Sequence, residues 1–340
     1  MKGRQILLDH VEGREAAALM VDGLLDDLLI DGDVPRPGTI YRAVTDRPVA
    51  GQGGVFLKTP DGAAYLRGVK GVGAGETLLV QVTGYAEPGK AIPVTHKLLF
   101  KSRYAIVTPE APGLNLSRSI RDDDVRDALM VLAHEGMEGN EMGLILRSAA
   151  AEADADDVAD DIAAMRDLAL QVMADEGTGI EVLAQGDGPH VLAWRDWIAP
   201  ADVVTEAGCF DSHGVLDALD GARGAHVSLG SGASIYVEAT RALVAVDVNT
   251  GADGSFAAGL RANIACARAL PAALRVRGLG GQITVDLAPM PKKERRTFES
   301  ALRAAFRSDD VDTVLAGWTP LGHYELQRKR ARLPLSEVLA

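Results

Sequence analysis

Two short apolar runs, LVAVDVN at 243–249 and QITVDLA at 282–288, each carry a single acid, Asp247 in one and Asp286 in the other. Runs this rich in β-branched residues read as buried strands. Between them FAAGLRANIACARALPAALRV has helical composition, and GLGG at 278–281 supplies a stop. A separation of 39 residues between the two acids therefore predicts a βαβ unit, two parallel strands joined by one crossover helix. Such strands are commonly sheet neighbours, about 4.8 Å apart, so acids at similar height sit together. Two carboxylates that close repel unless a cation or a proton neutralises them. Asn249, two residues after Asp247, shares its side of the strand and adds an oxygen. Asp247, Asp286 and Asn249 thus form a hard, all-oxygen set suited to Mg²⁺ or Mn²⁺. DVNTG is also a good turn sequence, and an Asp at a strand end often caps the next element. Both acids nevertheless interrupt apolar runs, where an unpaired charge is expensive.

The 340 residues can bury substantial cores and predict two or more domains. No window approaches 18 uninterrupted apolar residues, so no membrane span is expected, and MKGRQILLDHVEGRE turns acidic too soon for a signal peptide. Cys209 and Cys266 have no CxxC or Cys/His ligand spacing. The expectation is a cytoplasmic, reduced protein without a structural zinc. A net charge of −13 argues against a simple nucleic-acid binder. That charge is uneven: residues 121–220 hold 5 basic and 24 acidic side chains, whereas 271–340 hold 12 and 8. The basic clusters KKERR (292–296) and RKRAR (328–332) follow the carboxylate pair and could hold a phosphate backbone, although solvated helix faces commonly look the same.

Short glycine-punctuated strands, GTIYRAVTD, VFLKT, AAYLRG, ETLLVQVTG and LLFKSRYAIV, suggest a small barrel of the OB type over 38–108. Phe56 and Tyr65 fall on adjacent strands of it, either as stacking platforms for unpaired bases or as core. Lys58, Arg67, Lys70, Lys97, Lys101 and Arg103 favour nucleic acid. RDDDVRDALMVLAHEG and ADADDVADDIAAMRDLALQVM read as helices, the second with a packing stripe of Val158, Ile162, Met165, Leu168 and Val172. MGLILRS reads as a strand ending at Arg147 and Ser148, a guanidinium and a hydroxyl that could take one phosphate. Residues 180–235 are the least informative. His134, His213, His226 and His323 show no relation to a nucleophile, and there is no GxSxG, P-loop or full GxGxxG.

LVAVDVNTG, RANIACARAL, LRVRGLGGQITVDLAPM and LGHYELQRKR, taken in order, resemble the ribonuclease E/G family of bacterial endoribonucleases. The resemblance implies a ribonuclease H-like subdomain in two parts (1–35 and 181–222), interrupted by an S1 (OB-fold) barrel (36–108) and a 5′-sensor region (109–180). A DNase I-like α/β catalytic subdomain (223–340) follows. Asp247 and Asp286 match the family's metal-binding aspartates and Asn249 its catalytic-site asparagine. Phe56 and Tyr65 match aromatic positions that contact RNA, while Arg147 and Ser148 match the Arg and Thr that receive a 5′ monophosphate. Three departures stand out. The CPxC zinc link and its small dimerisation domain have no counterpart in this sequence, so no zinc is expected, and a monomer or dimer replaces a zinc-linked tetramer. Pro289 replaces an acid in DLAPM. Ala265 replaces the Glu of the helix motif, here Ala262, Asn263, Ile264, Ala265, Cys266, and Pro271 is expected to kink that helix.

The expected function is a Mg²⁺-dependent endoribonuclease cutting single-stranded RNA to leave 5′-phosphate and 3′-hydroxyl ends. Asp247 and Asp286 would hold the metal, Asn249 would orient the phosphate or water, and Arg275 and Arg277 would meet the RNA backbone. The rivals are an RNA-binding protein of the same fold that has lost turnover, and an assembly protein whose acidic 121–220 surface docks a basic partner.

Overall fold

The structure, a computed structural model, describes residues 3–49, 53–69 and 71–339, so Lys70 lies outside the described residues. The chain forms two compact units, residues 1–32 with 200–340 and residues 33–199.

The first unit opens with antiparallel strands β1 (Arg4–Val11), β2 (Arg14–Val21) and β3 (Leu24–Ile30). Both turns are two residues long, Glu12-Gly13 and Asp22-Gly23, with positive φ throughout. Turns of that hand match the twist of the strands they join.

In the second unit β4 (Ile40–Val49), β5 (Gly54–Thr59), β6 (Gly62–Arg67), β7 (Thr77–Val82) and β8 (Ile92–Thr95) run in the order β4-β5-β6-β8-β7, and β7 returns to pair with β4. This closes a five-stranded, OB-like barrel around Tyr41, Val55, Leu57, Leu66 and Val80. LLFKSRYAIV, expected in the barrel, leaves it. Its two pieces, β9 (Phe100–Lys101) and β10 (Ala105–Thr108), pair with each other and, with β11 (Leu114–Leu116) and β12 (Gly143–Leu146), make a separate sheet. Phe100, Ala105 and Val107 bury their side chains in a core shared with α1 (Asp123–Gly136) and α2 (Ala155–Met173). Asp122 caps α1 by accepting from the Val125 amide at 3.1 Å. Val158, Ile162 and Val172 are the buried part of the α2 stripe, with Met165 and Leu168 at its margin. β13 (Glu181–Ala184) joins β4 and is followed by α3 (Pro189–Asp196).

The first unit resumes with β14 (Asp202–Val204), parallel to β1, and helices α4 (Cys209–Ser212) and α5 (Val215–Arg223). A six-stranded sheet follows: β15 (His226–Gly230), β16 (Ala233–Ala239), β17 (Val244–Asn249), β18 (Gly281–Asp286), β19 (Thr313–Trp318) and β20 (Tyr324–Arg328), ordered β15-β16-β17-β18-β20-β19. The crossover helix α6 (Phe256–Val276) and α7 (Arg295–Arg307) supply Ala262, Cys266, Leu270, Phe298 and Leu302 to a core with Ile235, Val246, Val248, Ile283, Val285 and Leu326. Pro271 is buried within α6, which runs as one helix over its whole length. A short helix, α8 (Leu335–Val338), packs near β3. Among the described residues no helix is long and apolar enough to cross a membrane.

Charge is also buried in this unit. The Asp309 side chain is fully inaccessible and bonds Arg275 at 2.6 Å and Arg328, while Arg275 also reaches Asp26 at 2.8 Å and Arg332 reaches Asp27 at 3.1 Å. The basic run at 328–332 is therefore partly interior: Arg328 and Arg332 neutralise acids of the fold.

Both cysteines are buried and reduced. Burial pushes the Cys266 thiol up to about 12, and burial with the nearby Asp9 carboxylate pushes Cys209 up to about 11. A raised pKa means less thiolate at any lower pH. At pH 8 a disulfide reagent should consequently titrate no thiol rapidly in the native protein and two after denaturation; rapid native reaction would show that one site opens.

Candidate active site

In β17 the residues Val244, Val246 and Val248 face the helices, and Asp247 and Asn249 point to the opposite, exposed face. β18 repeats the pattern, with Ile283 and Val285 inside and Asp286 outside. The period of two explains why single acids occur in these runs: each sits on the uncovered face of an otherwise core-facing strand. β17 and β18 are parallel neighbours, and Asp247 is paired directly with Asp286 in the register. The two carboxylates therefore stand side by side on one open face.

Their remaining partners are few. Asn249 donates through Nδ2 to Oδ2 of Asp247 at 2.6 Å, and Nδ1 of His323 lies 3.3 Å from Oδ1 of Asp286. His323, at the turn before β20, was not connected to the acids by sequence reasoning. The loop after β18 is pinned from beneath: Asn263 of α6 is fully buried, donates to the Ala288 carbonyl at 2.9 Å and accepts from its amide at 3.0 Å. Gly259 lies so close that a Cβ there would fall 2.1 Å from the Pro289 carbonyl. Pro289 is thus part of a tight helix-to-loop contact. Asn263→Ala leaves two buried backbone groups unpaired, at about 1–3 kcal/mol each. It should lower the melting temperature and any activity that depends on Asp286 together; a variant as stable as wild type would mean that water replaces the amide.

Among the described residues no group of three or more His, Cys, Asp or Glu side chains is placed to hold a metal ion. The site offers two carboxylates and an amide, a hard oxygen set for a cation that keeps several waters, as Mg²⁺ does.

The other expected residues are placed as follows. Phe56 and Tyr65 are direct cross-strand partners on β5 and β6, with ring centroids 5.3 Å apart. Their strand neighbours Val55, Leu57, Ala64 and Leu66 fill the barrel, so this aromatic pair lies half-buried on the outer surface. Arg147 donates to the carbonyls of Ser102 and Arg195 and bonds Asp196 at 2.8 Å, with Ser148 opening the turn that follows. Asp196 also meets Lys101 at 2.9 Å and Arg195 at 2.8 Å. Burial would raise its pKa, but bonds and charge from Arg195 and Lys101 outweigh that and hold the carboxyl well below the usual range. Burial lowers the Lys101 ammonium, and the crowding of Arg195 and Arg147 adds to this against the pull of Asp196. Arg195 also meets Asp187 at 2.5 Å, so three cations share two carboxylates, with one positive charge in surplus. Sequence reasoning missed Arg195 and Asp196, which lie in the stretch without recognisable motifs. Arg275 and Arg277, expected at the RNA backbone, are both largely buried. Arg277 donates to the Gly224 carbonyl at 3.0 Å, and Arg275 belongs to the Asp26 and Asp309 network. Exposed basic side chains on the segment that leaves β18 include Lys292, Lys293 and Arg296.

The Ribonuclease E/G family model matches residues 100–201 and 201–331. Ribonuclease G of Salmonella typhimurium is 27% identical, covering 98% of this chain and 81% of that protein. Ribonuclease G of Haemophilus influenzae is 24% identical over 100% of the chain and 82% of its own length. Ribonuclease E of Synechocystis is 23% identical over 98% of the chain and 58% of that protein. With well over half its length matched by the family model, the chain belongs to the Ribonuclease E/G family.

Proposed function

We propose that the chain is an endoribonuclease that hydrolyses phosphodiester bonds in single-stranded RNA at Asp247 and Asp286. The observation that carries this reading is the in-register pairing of the two exposed carboxylates. Asp247, Asp286 and the Asn249 carbonyl oxygen would hold Mg²⁺, or Mn²⁺ in its place. When bound, the metal supplies positive charge at the scissile phosphate and a more acidic attacking water. Asn249 fixes Asp247 through its Nδ2 bond, and His323 stands 3.3 Å from Asp286 without a hydrogen bond to it. Lys292, Lys293 and Arg296, on the segment that leaves β18, are suited to neutralising backbone phosphates. In-line attack from water would leave a 5′-phosphate and a 3′-hydroxyl.

The barrel would grip unpaired bases through Phe56 and Tyr65. The surplus charge of Lys101, Arg147 and Arg195 would receive a 5′ monophosphate, with the Ser148 hydroxyl close by. Pairing of β14 with β1 supports reading 1–32 and 200–222 as two parts of one ribonuclease H-like subdomain, with 223–340 as the DNase I-like catalytic part; residues 181–199, expected in that subdomain, belong to the unit that holds the barrel. A second reading, RNA binding without turnover, is favoured because, among the described residues, no three His, Cys, Asp or Glu side chains are grouped to hold a metal. Incubating the protein and Mg²⁺ with a 5′-monophosphorylated single-stranded oligonucleotide separates them. Cleavage with 3′-hydroxyl products supports the enzyme, and binding without cleavage supports the rival.

A further inference from the structure

The carboxylate pair is the middle of a longer row. His226 pairs with Tyr236, Tyr236 with Asp247, and Asp247 with Asp286, each directly across one strand boundary, from β15 to β18. All four side chains point to the face that the helices leave uncovered. Tyr236 remains 41% exposed there, in a protein with only 4% aromatic residues. Its ring stands 5.3 Å from the His226 ring, which meets it at 65° and steadies it from the side away from Asp247. Ser234 and Ser228, in the adjacent row, place two hydroxyls on the same face.

We infer that Tyr236, backed by His226, is a nucleobase platform beside the carboxylate pair, an assignment that rests on the ribonucleolytic reading of that pair. One strand spacing, about 4.8 Å, separates the Tyr236 backbone from that of Asp247. A phosphate held through a cation at the two acids would leave a base attached to it within reach of the ring. Stacking suits this position because every base has a π-face and an exposed aromatic ring on a sheet loses little entropy on binding. A cross-strand aromatic pair also steadies a sheet. The two roles separate experimentally, since a purely structural ring would not respond to which base is present.

The test compares wild type, Tyr236→Phe and Tyr236→Ala on a single-stranded oligoribonucleotide and on versions with one abasic nucleotide at each position around the cut. Tyr236→Ala should raise KM about tenfold with kcat within twofold, and Tyr236→Phe should keep the wild-type KM. One abasic substrate should be equally poor for wild type and Tyr236→Ala. An unchanged KM for Tyr236→Ala, or an equal loss on every abasic substrate, overturns the platform while leaving the nuclease reading intact. If wild type cuts no RNA, that reading falls by itself, and oligonucleotide binding with divalent cations chelated decides the platform. Weaker binding of the intact strand alone by Tyr236→Ala supports it; equal binding overturns it.

Discussion

Asp247→Asn and Asp286→Asn should each reduce RNA cleavage by a factor on the order of 10²–10³, the size of effect seen when one group stabilising transition-state charge is removed. The substitution keeps the shape of each side chain and removes only its charge. Both positions are exposed, so stability should change little, and circular dichroism melts should overlay wild type. Asp247→Asn additionally sets two amides side by side, because Asn249 donates to Asp247 in the native site. Residues acting as a unit are not additive, so the double variant should be scarcely worse than either single one. KM for the oligonucleotide should move far less than kcat, since base contacts lie elsewhere. Wild-type rates in both variants would remove the pair from the chemistry.

Asp309→Ala should destabilise the unit formed by 1–32 and 200–340 by about 3–5 kcal/mol, because it leaves the buried Arg328 guanidinium without the carboxylate it bonds and removes one of the acids around Arg275, which keeps Asp26. Against a typical total of roughly 5–15 kcal/mol, that is enough to leave much of the protein unfolded at growth temperature. Urea titration would show the loss as an earlier midpoint. The control is Glu12→Gln, which breaks the partly exposed Arg223 pair and should cost less than about 1 kcal/mol. Equal midpoints for the two variants would mean that the buried network is solvated more than its accessibility implies.

The βαβ unit was legible in the sequence because strand and helix have different periods and the acids break an apolar pattern. The same logic placed α1, α2 and most of the barrel. It assigned β9 and β10 wrongly because a strand's pattern reveals that it is half-buried but not against which core, and here Phe100 and Val107 face α1 and α2. Arg275, Arg277 and Arg328 illustrate a second limit. A basic run looks the same in sequence whether it meets solvent or an interior Asp, and these residues bury their charge against the fold.

By itself the sequence determined that two acids occupy corresponding places on parallel strands, since local periodicity and one crossover length are enough for that. Only the tertiary structure decided their company. Register placed Asp247 opposite Asp286 and added Tyr236 and His226 to the row, and the return of β20 brought His323 alongside. Tyr236 and His226 come from the two hairpin strands that precede β17 and His323 from a segment far along the chain, and in both cases the register that aligns them is set by the packing of the sheet, not by periodicity within one strand.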